Sequence, residues 1–204
     1  MNVPAIAKKS FVELKALPEF KAIYDFVCSN LALIPDSLTR AKVVHAIVEE
    51  FNKETFAHPL VSQLCPCRVS CTDCCHTQVS VTNEEADLLI SRIKEGVEIN
   101  EARLKIQMEA KNDSHAYFKL KFEDRRCVFL DEDGKCKVYE DRPAVCRTNA
   151  VLGESSQCST KEGLQKTRLV KTPKSDVAIY AFFEKAESAG TLPYMIGKKL
   201  EEDT

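Results

Sequence analysis

Eight cysteines lie between Cys67 and Cys158: Cys67, Cys71, Cys74, Cys75, Cys127, Cys136, Cys146 and Cys158. Four of them fall within nine residues, and the other four follow the gap from Cys75 to Cys127. Ionised thiols are soft anionic ligands. Two such groups folded together make a site for zinc or for an iron–sulfur centre. Cys74 and Cys75 are neighbours, so their Cα atoms are about 3.8 Å apart. In an extended step their side chains point to opposite faces, and a disulfide between them would be strained. One arrangement gives each of the pair to a different four-cysteine centre, so that eight thiols serve two sites. The other is one four-cysteine centre, with the remaining thiols structural or reactive.

Other side chains could join this chemistry. Arg68, Arg126, Lys135, Lys137 and Arg147 each adjoin a cysteine of the set. Cations so placed offset the charge of metal-bound thiolates and lower thiol pKa values, although surface Arg and Lys are often simply solvated. His76 follows the cysteine pair and could add an imidazole ligand. A solvated or core histidine is the plainer reading for it, as for His45, His58 and His115. Cys28, among Phe26, Leu31 and Leu33, reads as a small buried apolar residue. No serine–histidine–acid set, phosphate-cradling glycine loop or pair of catalytic carboxylates can be named.

The chain has 204 residues, enough for one domain with a helical extension and a core of its own. Its net charge of -2 gives no global attraction to nucleic acid or to an anionic membrane. Lys8 and Lys9 are not followed by an apolar run, so no secretory signal is expected. No stretch approaches the roughly 20 apolar residues that cross a bilayer. A cytoplasmic location is therefore expected, where thiols stay reduced and cysteines serve as ligands more than as disulfides.

Periodicity supplies the elements that must position the cysteines. Phe11, Leu14, Leu17, Phe20, Ile23, Tyr24 and Val27 recur at helical spacing, with Pro18 as a break. Pro35, Asp36 and Ser37 open a second helix striped by Leu38, Val43, Val44, Ile47, Val48 and Phe51. The segment from Cys65 to His76 has almost no large apolar residues and cannot build a core alone. Thr82 and Glu85 read as a capping box before a helix carrying Ala86, Leu88, Leu89 and Ile93. Asn100 starts a helix through Ala110, and the alternation from Tyr117 to Phe122 predicts a short strand. Asp133 and Gly134, between apolar flanks, predict a hairpin bringing Cys127 near Cys136. The acidic turn lacks the ligand ladder of a calcium loop. Pro143 opens a helical turn holding Cys146. Residues 153–174 read as irregular; the basic run Lys161, Lys166, Arg168, Lys171 and Lys174 within them could contact phosphate but is more simply solvated. A helix spans Asp176–Ala186, and Gly190 and Pro193 then leave a short frayed tail.

These residues resemble a known family. Cys71, Cys74 and Cys75, then Val79, Val81, Thr82, Glu85 and Ala86, then Cys127, Phe129 and Leu130, then Cys136, Val138, Tyr139, Arg142, Pro143, Cys146 and Arg147, and finally Cys158 look like the YkgJ-type cysteine-cluster family. Its members are described as zinc- or iron-chelating domains. The resemblance implies that Cys67, Cys71, Cys74, Cys75, Cys127, Cys136, Cys146 and Cys158 are the metal ligands, holding zinc or a four-iron (4Fe-4S) iron–sulfur cluster. Cys65 competes with Cys67 for the first place, and Cys28 has no counterpart. Arg142 and Arg147 would flank Cys146 as counter-charges or donors to sulfur. The family includes the longer flagellin lysine-N-methylases, so a cluster-dependent protein lysine N-methyltransferase is the alternative activity. Cys67, Cys71 and Cys74 also match the spacing of radical S-adenosylmethionine enzymes, but Asp73 stands where those have an aromatic residue and the strand–helix alternation of their barrel is missing.

The expected architecture is mainly α with a small β-hairpin, a cysteine-cluster metal domain preceded by an N-terminal helical extension. Residues 1–62 form the helical region, 63–160 the metal-binding domain, and 161–204 a basic segment and helix packing back on it. The expected role is structural, redox or interaction, with room for a protein partner and no membrane or nucleic acid.

Overall fold

The computed structural model describes residues 3–67, 71–154, 158–161, 163 and 168–202. Its architecture is mainly helical, with ten α-helices among the described residues. Helix α1 (Ala5–Leu14) leads to α2 (Pro18–Leu33), where Pro18 sits in the first turn and costs no hydrogen bond. The Asp36 carboxylate accepts the Thr39 N–H at 2.6 Å and caps α3 (Ser37–Ala57). Short α4 (Pro59–Leu64) ends at Cys65. After the first cysteine segment come strand β1 (Ser80–Thr82), α5 (Asn83–Lys94), α6 (Glu101–Glu109) and α7 (Ser114–Lys119). The second half holds α8 (Ala144–Thr148), β2 (Val151–Leu152), β3 (Arg168–Leu169), α9 (Pro173–Lys185), β4 (Ala189–Thr191) and α10 (Leu192–Glu202). The strands make two antiparallel pairs, β1 with β4 and β2 with β3.

Two apolar cores carry the cysteine segments between them. In the first, Ile23, Val27, Val44 and Val48 of α2 and α3 pack on Val177, Ile179, Phe182 and Phe183 of α9. Helix α9 is apolar on most of its circumference, which suits a helix enclosed by α1, α2 and α3. In the second, Leu89 and Ile90 of α5, Leu104 of α6 and Leu192 and Ile196 of α10 enclose Val128, Phe129 and Val138. The capping box is complete: Thr82 Oγ1 accepts the Glu85 N–H at 3.3 Å and Glu85 Oε2 accepts the Thr82 N–H at 3.1 Å.

Two expectations need correction and a third is met. Tyr117–Phe122 is not a strand. The Asp113 carboxylate accepts the N–H groups of His115 and Ala116 and starts α7, so cap chemistry outweighs a brief alternation of side chains. The hairpin expected around Gly134 is met in short form: Asp131 N–H donates to the Lys135 carbonyl at 3.0 Å, Lys137 N–H donates to the Phe129 carbonyl at 2.9 Å, Leu130 and Cys136 form an antiparallel bridge, and Gly134 at a φ of 77° makes the turn. Nor is the chain beyond Gly190 a frayed tail. Strand β4 pairs with β1, and α10 buries Leu192, Pro193 and Ile196, because proline is tolerated in a first helical turn. Of the basic run, Lys166 and the Arg168 side chain lie outside the described residues, while Lys174 bonds Glu54 at 2.9 Å and Glu19 at 3.2 Å.

Candidate metal centre

Three chain segments deliver five of the cysteines to one neighbourhood. The first is a 3-10 turn, Asp73–His76, carrying Cys74 and Cys75. The second is the segment from Cys127 to Cys136, and the main chain joins it to the first: the Cys127 N–H donates to the Cys75 carbonyl at 2.8 Å. The bridge between Leu130 and Cys136 folds Cys136 back beside it. The third is α8, where the Cys146 N–H donates to the Pro143 carbonyl at 2.9 Å. The thiols feel one another's charge. Cys75 is influenced by Cys74, Cys127 and Cys146, and Cys146 by Cys127, Cys74 and Cys136.

Burial pushes most of these thiols toward the neutral form. Cys127 is raised to about 12, Cys136 is raised, and Cys146 stands well above its ordinary value, in each case mainly by desolvation. Cys74 goes the other way, held at about 7 first by the hydrogen bond from Cys75 and further by the Arg142 guanidinium. Cys75, as the donor of that bond, is raised. Main-chain amides are aimed at sulfur: the Phe129 N–H serves Cys127 and the Val138 N–H serves Cys136, each two residues along the chain.

A smaller group gathers where α4 ends. Cys65 and Cys71 lie within electrostatic reach of Cys67, whose sulfur accepts the Val151 N–H. Cys67 is exposed overall, and local desolvation is the first cause that raises its thiol. The Gly153 N–H donates to the Leu64 carbonyl at 3.1 Å and ties this corner to β2. Cys158 is buried, and Arg125 anchors its segment through Thr160, donating to the Thr160 carbonyl at 3.0 Å. All ten cysteines are free thiols. Among the described residues no three His, Cys, Asp or Glu side chains close on a point where they could hold a metal ion. The donor chemistry nonetheless fits a thiolate-bound cation: the amides and one cationic group are directed at the sulfurs, and the Arg142 Nε is buried without a partner.

The basic neighbours divide by role. Arg68 lies outside the described residues. Arg126 donates to the Asp131 carbonyl and Lys137 to the Glu98 carbonyl. Arg147 is a clamp: its guanidinium bonds the carbonyls of Arg142 at 2.9 Å and Glu140 at 2.5 Å and the Glu49 carboxylate at 2.6 Å. Arg142 is the counter-charge, stacked over the Tyr139 ring at 4.2 Å; it helps to lower the Cys74 thiol and opposes the rise of Cys136. Arg103 of α6, which no cysteine-adjacent pattern reveals, does the same for Cys127. His76 is a core histidine, stacked on Phe122 at 4.2 Å, with its Nδ1 3.1 Å from the Thr72 carbonyl.

The sequence model of the CxxCxxCC family, described as a "Putative zinc- or iron-chelating domain", matches residues 66–174, just over half of the 204 residues. The chain belongs to this family. Its family segment contains the eight cysteines Cys67 to Cys158 and the Arg142–Cys146 element; Cys65 and helices α1–α4 precede it. Neither the curated proteins nor the solved structures contain a match to the chain. No helix among the described residues is long and apolar enough to cross a membrane.

Proposed function

We propose that the protein binds zinc or an iron–sulfur cluster through its clustered cysteines, and that the bound group has a structural, redox or interaction role. Cys74, Cys75, Cys127, Cys136 and Cys146 form the main donor group, and Cys67, Cys71 and Cys158 complete the eight. One observation supports this above the others: the Phe129 and Val138 amides and the Arg142 guanidinium all favour negatively charged sulfur in a buried setting. A neutral thiol is a weak acceptor and needs no such company, whereas hydrogen bonds to metal-bound sulfur set ligand orientation and tune a cluster. Bound zinc would supply folding energy, and a bound cluster would supply one-electron chemistry as well. The chain's own part is to shield Cys127 and Cys146 partly from water, to offset thiolate charge with Arg142 and Arg103, and to hold the three segments together.

Purification without oxygen, with a visible spectrum and analysis for metal and acid-labile sulfide, tests the proposal. A brown sample with iron and sulfide supports the cluster; a colourless one with stoichiometric zinc supports the zinc centre. A protein that takes up neither metal, or whose cysteines are paired as disulfides when first isolated, would overturn it.

A further inference from the structure

Helix α3 precedes the family segment, yet three of its side chains reach Arg147, next to Cys146, one of them through the Arg147 carbonyl. Glu85 Oε1 accepts the Ala144 N–H at 2.7 Å, at the start of the helix that holds Cys146, and the same oxygen lies 3.0 Å from Nε2 of His45 in α3. Arg147 reaches Nδ1 of that imidazole at 3.4 Å and Glu49 Oε1 at 2.6 Å. An arginine only donates, so Nδ1 is the acceptor and the ring proton sits on Nε2, directed at Glu85. Asn52 Nδ2 donates to the Arg147 carbonyl at 3.0 Å, and Asn52 Oδ1 accepts from Ser175 of α9 at 2.8 Å. His45, Asn52, Glu85 and Arg147 are all buried. Such a network, fully satisfied in low dielectric, fixes one arrangement of the groups it joins.

We infer that His45, Glu49 and Asn52 are positioning residues for Cys146, so that α3 is an integral part of the metal centre rather than a separate extension. This rests on the metal-binding reading above. The carboxylate of Glu85 ties the capping box of α5, the amide of Ala144 and the imidazole of His45 to one another, and Arg147 closes the circuit. Outer groups that orient a ligand contribute roughly 10–100-fold to metal affinity. Coupling is reciprocal, so metal bound at Cys146 also strengthens the docking of α3.

Three variants of the full chain test this: His45→Ala, His45→Gln and Val48→Ala. Val48 is fully buried in the same helix, and its truncation loosens the core without touching the polar contacts. The first readout is amide exchange at residues 144–148 in metal-free protein, and the second is zinc affinity by competition with a chromophoric chelator. His45→Ala is expected to speed exchange at 144–148 at least tenfold beyond Val48→Ala and to weaken zinc binding roughly 10–100-fold. His45→Gln is expected to recover most of both, since its amide donates to Glu85 and accepts from Arg147. Equal effects of Val48→Ala and His45→Ala on both readouts would overturn the inference. Wild-type protein that takes up no zinc and no iron instead refutes the metal reading; unchanged exchange at 144–148 in His45→Ala then refutes the tether as well.

Discussion

Cys74 and Cys75 share one S–H···S contact, so in metal-free protein the pair gives up its first proton far more easily than its second. Cys74 is held at about 7 and Cys127 at about 12, which orders their reactivity. With iodoacetamide on metal-free protein, the fastest alkylation is expected at Cys74, rising through about pH 7, with Cys127 and Cys146 unreactive while the fold persists. A Cys74→Ser variant that kept the fast phase would contradict this. The raised thiols act on stability in the opposite direction. Above pH 9 the unfolded chain ionises Cys75, Cys127 and Cys146 while the native state keeps their protons, so the native state binds more protons and stability falls with rising pH. A urea midpoint of metal-free protein that held constant from pH 8 to pH 10 would count against this. Metal content is expected to fall in Cys136→Ser and to stay in Cys28→Ser, because Cys28 belongs to the α2 and α9 core. At this scale the sequence exposed the cysteines and Arg142, whose types and spacing speak for themselves. Arg103, His45 and Glu49 were hidden, because only the fold brings them to the site from α6 and α3.

Among the elements, those with cap chemistry in the sequence were legible: Pro18, Asp36, the Thr82 and Glu85 box and Asn100 each start a helix where they stand. The misreadings share one physical origin. Short segments around Tyr117 and beyond Gly190 have too little periodicity of their own, so a local cap and long-range packing decide their form. Glu85 was legible as a cap, but its second oxygen carries the larger consequence. Replacing Thr82 by Ala removes one capping bond and is expected to cost about 1 kcal/mol in urea unfolding. Glu85→Ala leaves the Ala144 N–H and the His45 Nε2–H buried without their acceptor and is expected to cost about 2–4 kcal/mol. Equal costs for the two variants would show that the contacts to α3 and α8 carry no weight. Gly197 marks the close approach of α10 to α6, since a Cβ there would stand 2.0 Å from Met108 Sδ and 2.8 Å from its Cγ. Gly197→Ala is therefore expected to destabilise by about 1–3 kcal/mol through overpacking, and Met108→Ala in the same chain should recover part of the loss.

Taken whole, the molecule has two packed cores; the second cysteine segment gives Val128, Phe129 and Val138 to one of them, whereas the first has few apolar residues of its own. The first core joins α1, α2 and α3 to α9, elements far apart in sequence, and its packing does not call on a metal. The first cysteine segment has no such support: in the turn Asp73–His76 the buried residue is His76, and the Phe122 stack and the amide bond from Cys127 to Cys75 help tie the turn to the rest. Removal of metal by a chelator under reducing conditions should therefore act unevenly. Amide exchange is expected to rise first and most around 71–79, and less across 127–148, where Val128, Phe129 and Val138 belong to a core, while α2 and α9 keep their protection until global unfolding. An intermediate response of α3 near His45 and Asn52, larger than that of α2, is the signature of the polar circuit that joins it to Cys146. Uniform loss of protection along the chain would mean that the metal holds the entire fold, and unchanged exchange at 71–79 and 127–148 would mean that it holds none of it. Only the uneven pattern agrees with a centre whose first segment lacks a core and is braced by elements that have one.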